Sequence, residues 1–247
     1  MRHAVIVFLA VLTVAGPAIA QTRADRERAR TQNKLGWEEM RAEAWEKAAR
    51  SFQNAIDIDP AFEVPHYGLG RANMNLKKFA AAITAYERCR DLYRNATARQ
   101  FSNAQEAQRF RHDRITEIDE QIRQTQSGPM TPARQDLLRQ LQNVRRDVQE
   151  SIRRGNDMNI QSAVPAWVSL ALGSAYFRAG RLADAEREYQ ATITADSRSG
   201  EAHNNLAVVY LETGRIAEAD ASIRSAKKAG FKVNPELERL IQEKGKQ

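Results

Sequence analysis

The chain has 247 residues, a formal net charge of +7 and a single cysteine, Cys89. Because one cysteine cannot close an internal disulfide, packing alone must hold the fold. The positive charge suggests a nucleic-acid-binding protein, but arginine is interleaved with Asp and Glu nearly everywhere, and this pattern argues against that class.

The first twenty residues have the pattern of a secretory signal peptide. Arg2 precedes the apolar run "AVIVFLAVLTVAG", and "AIA" at residues 18–20 is a small-residue cleavage signal. A membrane anchor is the alternative, but the run is shorter than the ~20 apolar residues that span a bilayer comfortably. We expect cleavage after Ala20, secretion across the inner membrane and a periplasmic location. No cysteine lies near this site, so we expect no lipid anchor there.

Small residues return along the chain at a fixed interval of 34. This step carries Ala48 onto Ala82 and Ala185 onto Ala219. It also carries "LG" at residues 35–36 onto residues 69–70, and "LG" at 172–173 onto "LA" at 206–207. A 34-residue period of paired helices is typical of tetratricopeptide arrays, and on these residues the chain resembles the tetratricopeptide repeat (TPR) family.

The resemblance implies an all-α fold, a TPR-like helical solenoid. A basic helix start from residue 21 would precede four repeats, at residues 29–62, 63–96, 166–199 and 200–233. The second helix of each repeat is expected to begin at a large apolar residue, namely Trp45, Phe79, Leu182 or Ile216. Residues 234–247 are predicted to form a C-terminal capping helix, with Asn234 as its N-cap and Pro235 in the first helical position.

Residues 97–165 depart from the repeat. No Gly or Pro occurs between Arg71 and Ser127, so the helix before this segment could continue to Gln126. "SGPMTP" then predicts a turn, and a returning helix over 131–154 carries an apolar stripe, so we predict an inserted antiparallel helical hairpin. Two isolated repeats are fewer than the ~3 needed for stability, which favours a hairpin that completes the stack. The alternative is an arm that projects for self-association or docking.

The sequence contains no pattern of catalytic residues. His66, His112 and His203 are scattered, and two of them, His66 and His203, occupy the same repeat position, which indicates a packing role rather than a metal pair. Cys89 stands where the repeat normally has a small packed residue. We therefore expect no enzyme activity, no cofactor and no metal.

In the TPR family the first helices of the repeats line a concave groove that takes a peptide or a partner helix. The resemblance places eleven residues of this chain there by register: Asn33, Trp37, Tyr67, Arg71, Leu170, Ser174, Phe177, Arg178, Asn204, Val208 and Leu211. We expect Arg71 and Arg178 to contact acidic groups, and the apolar members of the later repeats to form an exposed patch. Some family members hold the C-terminal carboxylate of a peptide with a Lys/Asn/Arg clamp. We do not assign this clamp to the chain, because only fragments of its pattern occur here.

These patterns predict an exported, non-enzymatic adaptor or scaffold that binds a protein or peptide partner through the groove, in envelope assembly or secretion. The alternative is a structural scaffold that forms homo-oligomers through the hairpin. A weaker alternative is a protein that binds anionic lipid or cell-wall polymer through the basic run "TRADRERAR" at residues 22–30, with only weak peripheral membrane contact. Neither composition nor motif identifies the partner.

Overall fold

A computed structural model describes residues 23–97, 104–126, 132–154 and 164–245 of the chain. These residues form helices, and they contain no strand. The helices are α1 (Arg23–Arg41), α2 (Trp45–Ile58), α3 (Glu63–Asn75), α4 (Phe79–Thr97), α5 (Ala104–Gln126), α6 (Pro132–Arg154), α7 (Ala166–Arg178), α8 (Leu182–Ala195), α9 (Gly200–Glu212), α10 (Ile216–Lys228) and α11 (Pro235–Lys244). The predicted signal peptide lies outside the described residues. No helix within them is long and apolar enough to cross a membrane.

The repeat helices pair as the 34-residue period predicts. Helix α1 packs on α2, α3 on α4, α7 on α8 and α9 on α10. The second helices begin at the four predicted residues. Within a pair the helices cross closely because a small residue faces a large ring: a Cβ atom added at Gly173 would lie 2.7 Å from the ring of Tyr189, and one at Gly36 the same distance from Phe52. The prediction of a TPR-like helical solenoid is therefore confirmed.

The two pairs of repeats stack directly on each other. Helix α7 packs on α4 and α3, although the whole insertion separates them in sequence. The rings of Tyr67 and Trp167 meet edge to face across this junction, with centroids 4.4 Å apart. Arg90 Nη1 lies 2.6 Å from Glu188 Oε1. The expectation that the hairpin completes the stack is therefore wrong, because α4 and α7 already meet as neighbouring repeats do.

The insertion forms the predicted pair of helices, α5 and α6, which pack on each other. Arg145 Nε donates to Asp119 Oδ1 at 2.5 Å, and Ile118 and Leu141 are each 2% exposed. Helix α6 begins at Pro132, as expected. The segments 98–103 and 127–131 lie outside the described residues. They contain the predicted continuation of α4 into α5 and the predicted turn.

Deleting the hairpin should leave a folded solenoid. Removing residues 94–162 and joining Tyr93 to Ala163 restores the 34-residue spacing between Glu63 and Ala166. We expect this variant to unfold cooperatively and to keep the ellipticity at 222 nm expected from the remaining helices, because the α4–α7 contacts do not involve the hairpin. Circular dichroism during urea titration checks this. An unfolded variant would show that the hairpin is needed to join the repeats.

The C-terminal helix covers the last repeat, as predicted. The Asn234 side chain accepts the backbone N–H of Glu236 at 2.9 Å, which caps the helix N-terminus, and Pro235 occupies the first turn. Ile241 is 2% exposed and belongs to the same apolar core as Ile223 of α10. This helix therefore buries an apolar flank that the end of a repeat stack would otherwise expose.

The turns between paired helices differ between the two halves. Gly180 and Gly214 have φ of 76° and 74°, whereas Glu43 and Lys77 hold the same positions in the first half with φ of 55° and 58°. A residue with a Cβ atom is strained in this left-handed region, typically by 1–2 kcal/mol. We expect Lys77→Gly to raise the free energy of unfolding by about 1 kcal/mol and Gly214→Lys to lower it by about as much. Urea denaturation measures both, and equal effects of the same sign would contradict the strain argument.

Buried tyrosines give the fold a dependence on alkaline pH. Burial raises the pKa of Tyr189 to about 12, and burial together with a hydrogen bond to the Glu87 carboxylate raises that of Tyr176 to about 12. Burial also raises the pKa values of Tyr67, Tyr86 and Tyr93. The fold thus favours the neutral phenols, so their stabilising contribution is complete below about pH 10, the unfolded value, and is lost as the pH rises towards 12.

We therefore expect most of the phenolate absorbance at 295 nm to appear together with loss of ellipticity at 222 nm. In 6 M guanidinium chloride the same tyrosines should titrate near pH 10. Full ionisation near pH 10 in the folded protein would contradict the burial of these side chains.

Candidate functional site

A cavity of about 700 Å³ lies between the first helices of the repeats and the hairpin. Helices α1, α3 and α7 form one side of it, and α5 and α6 contribute to the other. Its lining comprises Trp37, Met40, Arg41, Trp45, Tyr67, Arg71, Asn75, Tyr86, Gln121, Thr125, Arg139, Leu141, Gln142, Trp167, Leu170, Ala171, Ser174, Asp196, Arg198, Ser199, Glu201 and Ala229. The volume is within the roughly 300–1,000 Å³ range of ligand sites in proteins.

Aromatic rings form the floor of this cavity. The ring of Tyr67 lies 6.3 Å from that of Trp37 and 4.4 Å from that of Trp167, measured between centroids. These contacts connect the first three repeats along one face. With Trp45, the lining contains all three tryptophans of the chain. Such rings offer rigid contact area to a ligand at little cost in conformational entropy.

Charge is distributed unevenly along the cavity. Arg41 and Arg71 lie on the first two repeats, and both are exposed. The Arg71 guanidinium lies 5.7 Å from the ring of Trp37. Both carboxylates of the lining, Asp196 and Glu201, belong to the later repeats. The end of the cavity formed by the first two repeats is therefore positively charged.

A buried donor at this end has no partner. The indole Nε1 of Trp37 is buried and donates no hydrogen bond within the described part of the chain. An unsatisfied buried N–H costs roughly 1–3 kcal/mol, which a ligand acceptor could recover. Trp37 and the two arginines together suit an anionic or carbonyl group.

The cavity brings together five of the eleven residues predicted to line the groove: Trp37, Tyr67, Arg71, Leu170 and Ser174. The other six do not line it. Asn33 is 6% exposed, Asn204, Phe177 and Val208 are half-buried, and Arg178 is exposed with its guanidinium 5.3 Å from the ring of Phe79. Whether any of the eleven contacts a partner stays a prediction.

Leu211 corrects one part of that expectation. It is 8% exposed and belongs to the apolar core of the later repeats, and Phe177 packs against the same core. The predicted exposed apolar patch is therefore wrong at Leu211, because helix α9 turns this position towards neighbouring side chains rather than solvent. A Phe177→Ala and Leu211→Ala double variant would damage packing, so it is unsuitable as a test of binding.

Repeat positions did not predict that the hairpin and two further tryptophans line the cavity. Gln121, Gln142 and Arg139 come from helices that have no repeat position, so no spacing could place them in the groove. Trp45 was predicted only as the start of a second helix and Trp167 was given no role, although both line the cavity. No repeat signal marked Trp167, because the equivalent positions of the neighbouring repeats hold Val64 and Glu201.

The histidines and the cysteine have structural roles. His66 Nε2 lies 3.2 Å from the carbonyl oxygen of Pro60, and His203 Nε2 lies 3.2 Å from that of Ser197, so the two equivalent residues make equivalent contacts. Burial lowers the pKa of His66 and raises that of the fully buried Cys89. No group of potential metal ligands occurs within the ranges that the structure describes.

The basic run before the first repeat is largely neutralised. Arg26 pairs with Asp59, Arg28 with Asp25, and Arg30 Nη1 with Glu27 Oε1 at 3.0 Å. Since these guanidiniums already have carboxylate partners, the run offers an anionic polymer less free charge than its sequence suggests.

Among solved structures, MamA is 17% identical to this chain, with a TM-score of 0.52 over 84% of this chain and 81% of that one. PilW, a type IV pilus biogenesis factor, is 14% identical, with a TM-score of 0.41 over 87% and 85%. PilF of Pseudomonas aeruginosa is 12% identical, with a TM-score of 0.38 over 91% and 86%. The likeness to MamA is one of fold.

None of the curated proteins compared with the sequence matches it. The tetratricopeptide repeat family model, however, matches residues 33–97 and 170–230, which are 126 of the 247 residues and correspond to the two stacked pairs of repeats. With the 34-residue period, the paired helices and this match, the chain belongs to the tetratricopeptide repeat family.

Proposed function

We propose that the protein is a non-enzymatic adaptor that binds a peptide segment of a partner protein in the cavity between its repeats and its hairpin. The observation that carries this proposal is the lining itself, in which aromatic rings and arginines surround about 700 Å³ of open space. Large rigid rings with a few convergent polar groups are typical of recognition sites. The lining contains no histidine or cysteine, and this composition favours binding over catalysis.

We also propose that the adaptor acts outside the cytoplasm, in envelope assembly or secretion. The support is the sequence of residues 1–20, with its apolar run and small-residue cleavage signal. The N-terminal mass of the protein recovered from the periplasm tests this. A mature chain that begins at Gln21 is expected, whereas an uncleaved chain in the cytoplasm would contradict it.

Site-specific photo-crosslinking tests the adaptor proposal. A photoreactive amino acid placed at Asn75, which is exposed and lines the cavity, should capture one partner in the producing cells. The matched control is Asn54, an exposed residue of α2 that does not line the cavity. Crosslinking of the same protein from both positions, or from neither, would contradict binding in the cavity.

The two alternative functions have less support. Among the described side chains, only Leu35 and Leu240 are large, apolar and exposed, and neither belongs to the hairpin. Self-association through an apolar hairpin surface therefore has no visible basis in these residues. Chain mass in solution, with and without residues 94–162, would nevertheless reveal oligomers that depend on the hairpin.

A further inference from the structure

We infer that the inserted hairpin is the second wall of the binding site, and that the segment held between hairpin and repeats is an extended, acidic peptide. This inference rests on the proposed adaptor function and specifies its ligand. It differs from the two roles that the sequence suggested for the hairpin, a stacking element and a projecting arm.

The hairpin is held beside the repeats at the base of the cavity. The Arg114 guanidinium of α5 lies 4.4 Å from the ring centroid of Tyr93, which ends the packed part of α4 and is 1% exposed. Arg111, one turn before it, is 2% exposed. The Arg114 contact holds α5 against the end of α4, and Gln121 and Thr125, later in the same helix, line the cavity.

The surface that this wall presents is mainly polar and leaves the space open. Gln121 of α5 and Gln142 of α6 line the cavity, and their side-chain amides have no hydrogen-bond partner within the described residues. Thr125 and Arg139 line it too, and Leu141, 2% exposed, is the one apolar side chain that the hairpin contributes to the described lining. A hairpin that plugged the groove would place apolar side chains on the tryptophans. This one presents free amides, which suit the N–H and C=O groups of an extended backbone.

Charge complementarity identifies the occupant. Arg41 and Arg71 are exposed, form no ion pair within the described residues, and lie at the end of the cavity that has no lining carboxylate. The unpartnered indole N–H of Trp37 at the same end also requires an acceptor. At the other end Arg198 lies with the carboxylates of Asp196 and Glu201, so that end offers an acidic side chain no net positive charge. The acidic side chains of the segment therefore lie against α1 and α3, and its apolar side chains pack on the aromatic floor.

Selection from a random dodecapeptide phage-display library against the purified protein provides the test. Enriched peptides are synthesised, and their dissociation constants are measured by anisotropy and by fluorescence of the three cavity tryptophans. The cavity variants are Arg71→Glu on the repeats and Gln121→Glu on the hairpin. Their matched controls are Arg50→Glu on α2 and Gln126→Glu on α5, both exposed and outside the cavity.

We expect enriched peptides rich in Asp and Glu, with binding weakened at least tenfold by each cavity variant, and also by removal of residues 94–162. Neither control should change binding more than twofold. Enrichment of neutral or basic peptides would overturn the acidic ligand. Unchanged or tighter binding in Gln121→Glu and in the deletion variant would overturn the hairpin wall. In both cases the adaptor function would stand. Failure to enrich any peptide that binds at the cavity tryptophans, as seen by a change in their fluorescence, would contradict the adaptor function itself.

Discussion

Replacing Gly173 with alanine is expected to lower the free energy of unfolding by about 2 kcal/mol, even though alanine is intrinsically the better helix former by about 1 kcal/mol. The added Cβ atom would lie 2.7 Å from the ring of Tyr189, closer than real Cβ contacts. The ring is 2% exposed and its hydroxyl donates to Ser174 Oγ at 3.3 Å, so it cannot move aside cheaply. The urea midpoint, followed at 222 nm, measures the loss.

The next repeat supplies the control. There the corresponding positions hold Ala207 and Ile223, a larger first residue with a smaller partner. We therefore expect Gly173→Ala combined with Tyr189→Ile to be less destabilising than the sum of the two single changes, by about 1 kcal/mol or more. Additive effects would show that the crossing of α7 and α8 tolerates the methyl group without contact to Tyr189.

The repeat architecture was predictable because each repeat solves the same packing problem locally. Small residues at a 34-residue interval specify where helices cross, and so the starts of α2, α4, α8 and α10 follow from sequence alone. Which side chains of a repeat helix are buried was harder to predict from their repeat positions. Leu211 was expected in the groove but is buried. Which flank of α9 faces solvent depends on how this helix packs on its neighbours, and sequence spacing alone does not determine that.

The hairpin marks the limit of prediction from sequence. Its two helices could be predicted from apolar spacing, and Ile118 and Leu141, which belong to the two apolar stripes, are both buried. Its position over the groove depends on sparse, non-repeating contacts such as that of Arg114 with Tyr93. Since these contacts follow no period, the repeat positions could not predict the hairpin side of the cavity, including Gln121 and Gln142.

Replacing Asp59 with alanine is expected to cost about 3 kcal/mol, because this carboxylate is fully buried and its removal takes a charged partner from the half-buried Arg26 and an acceptor from the turn. It pairs with Arg26 of α1 and accepts the backbone N–H of Ala61 at 3.0 Å. The same guanidinium lies 4.8 Å from the ring of Phe62. Asp59 therefore connects the entry helix, the turn after α2 and the start of α3, and its loss should loosen all three together.

Asp196 is the matched control, since it holds the corresponding position in the third repeat and accepts the backbone N–H of Arg198 at 3.1 Å. It is half-exposed, so water can replace the carboxylate in Asp196→Ala, and we expect a loss of only about 1 kcal/mol there. Urea denaturation of both variants compares the two positions. Equal losses would mean that the burial of the Asp59 carboxylate adds nothing to what the half-exposed position contributes.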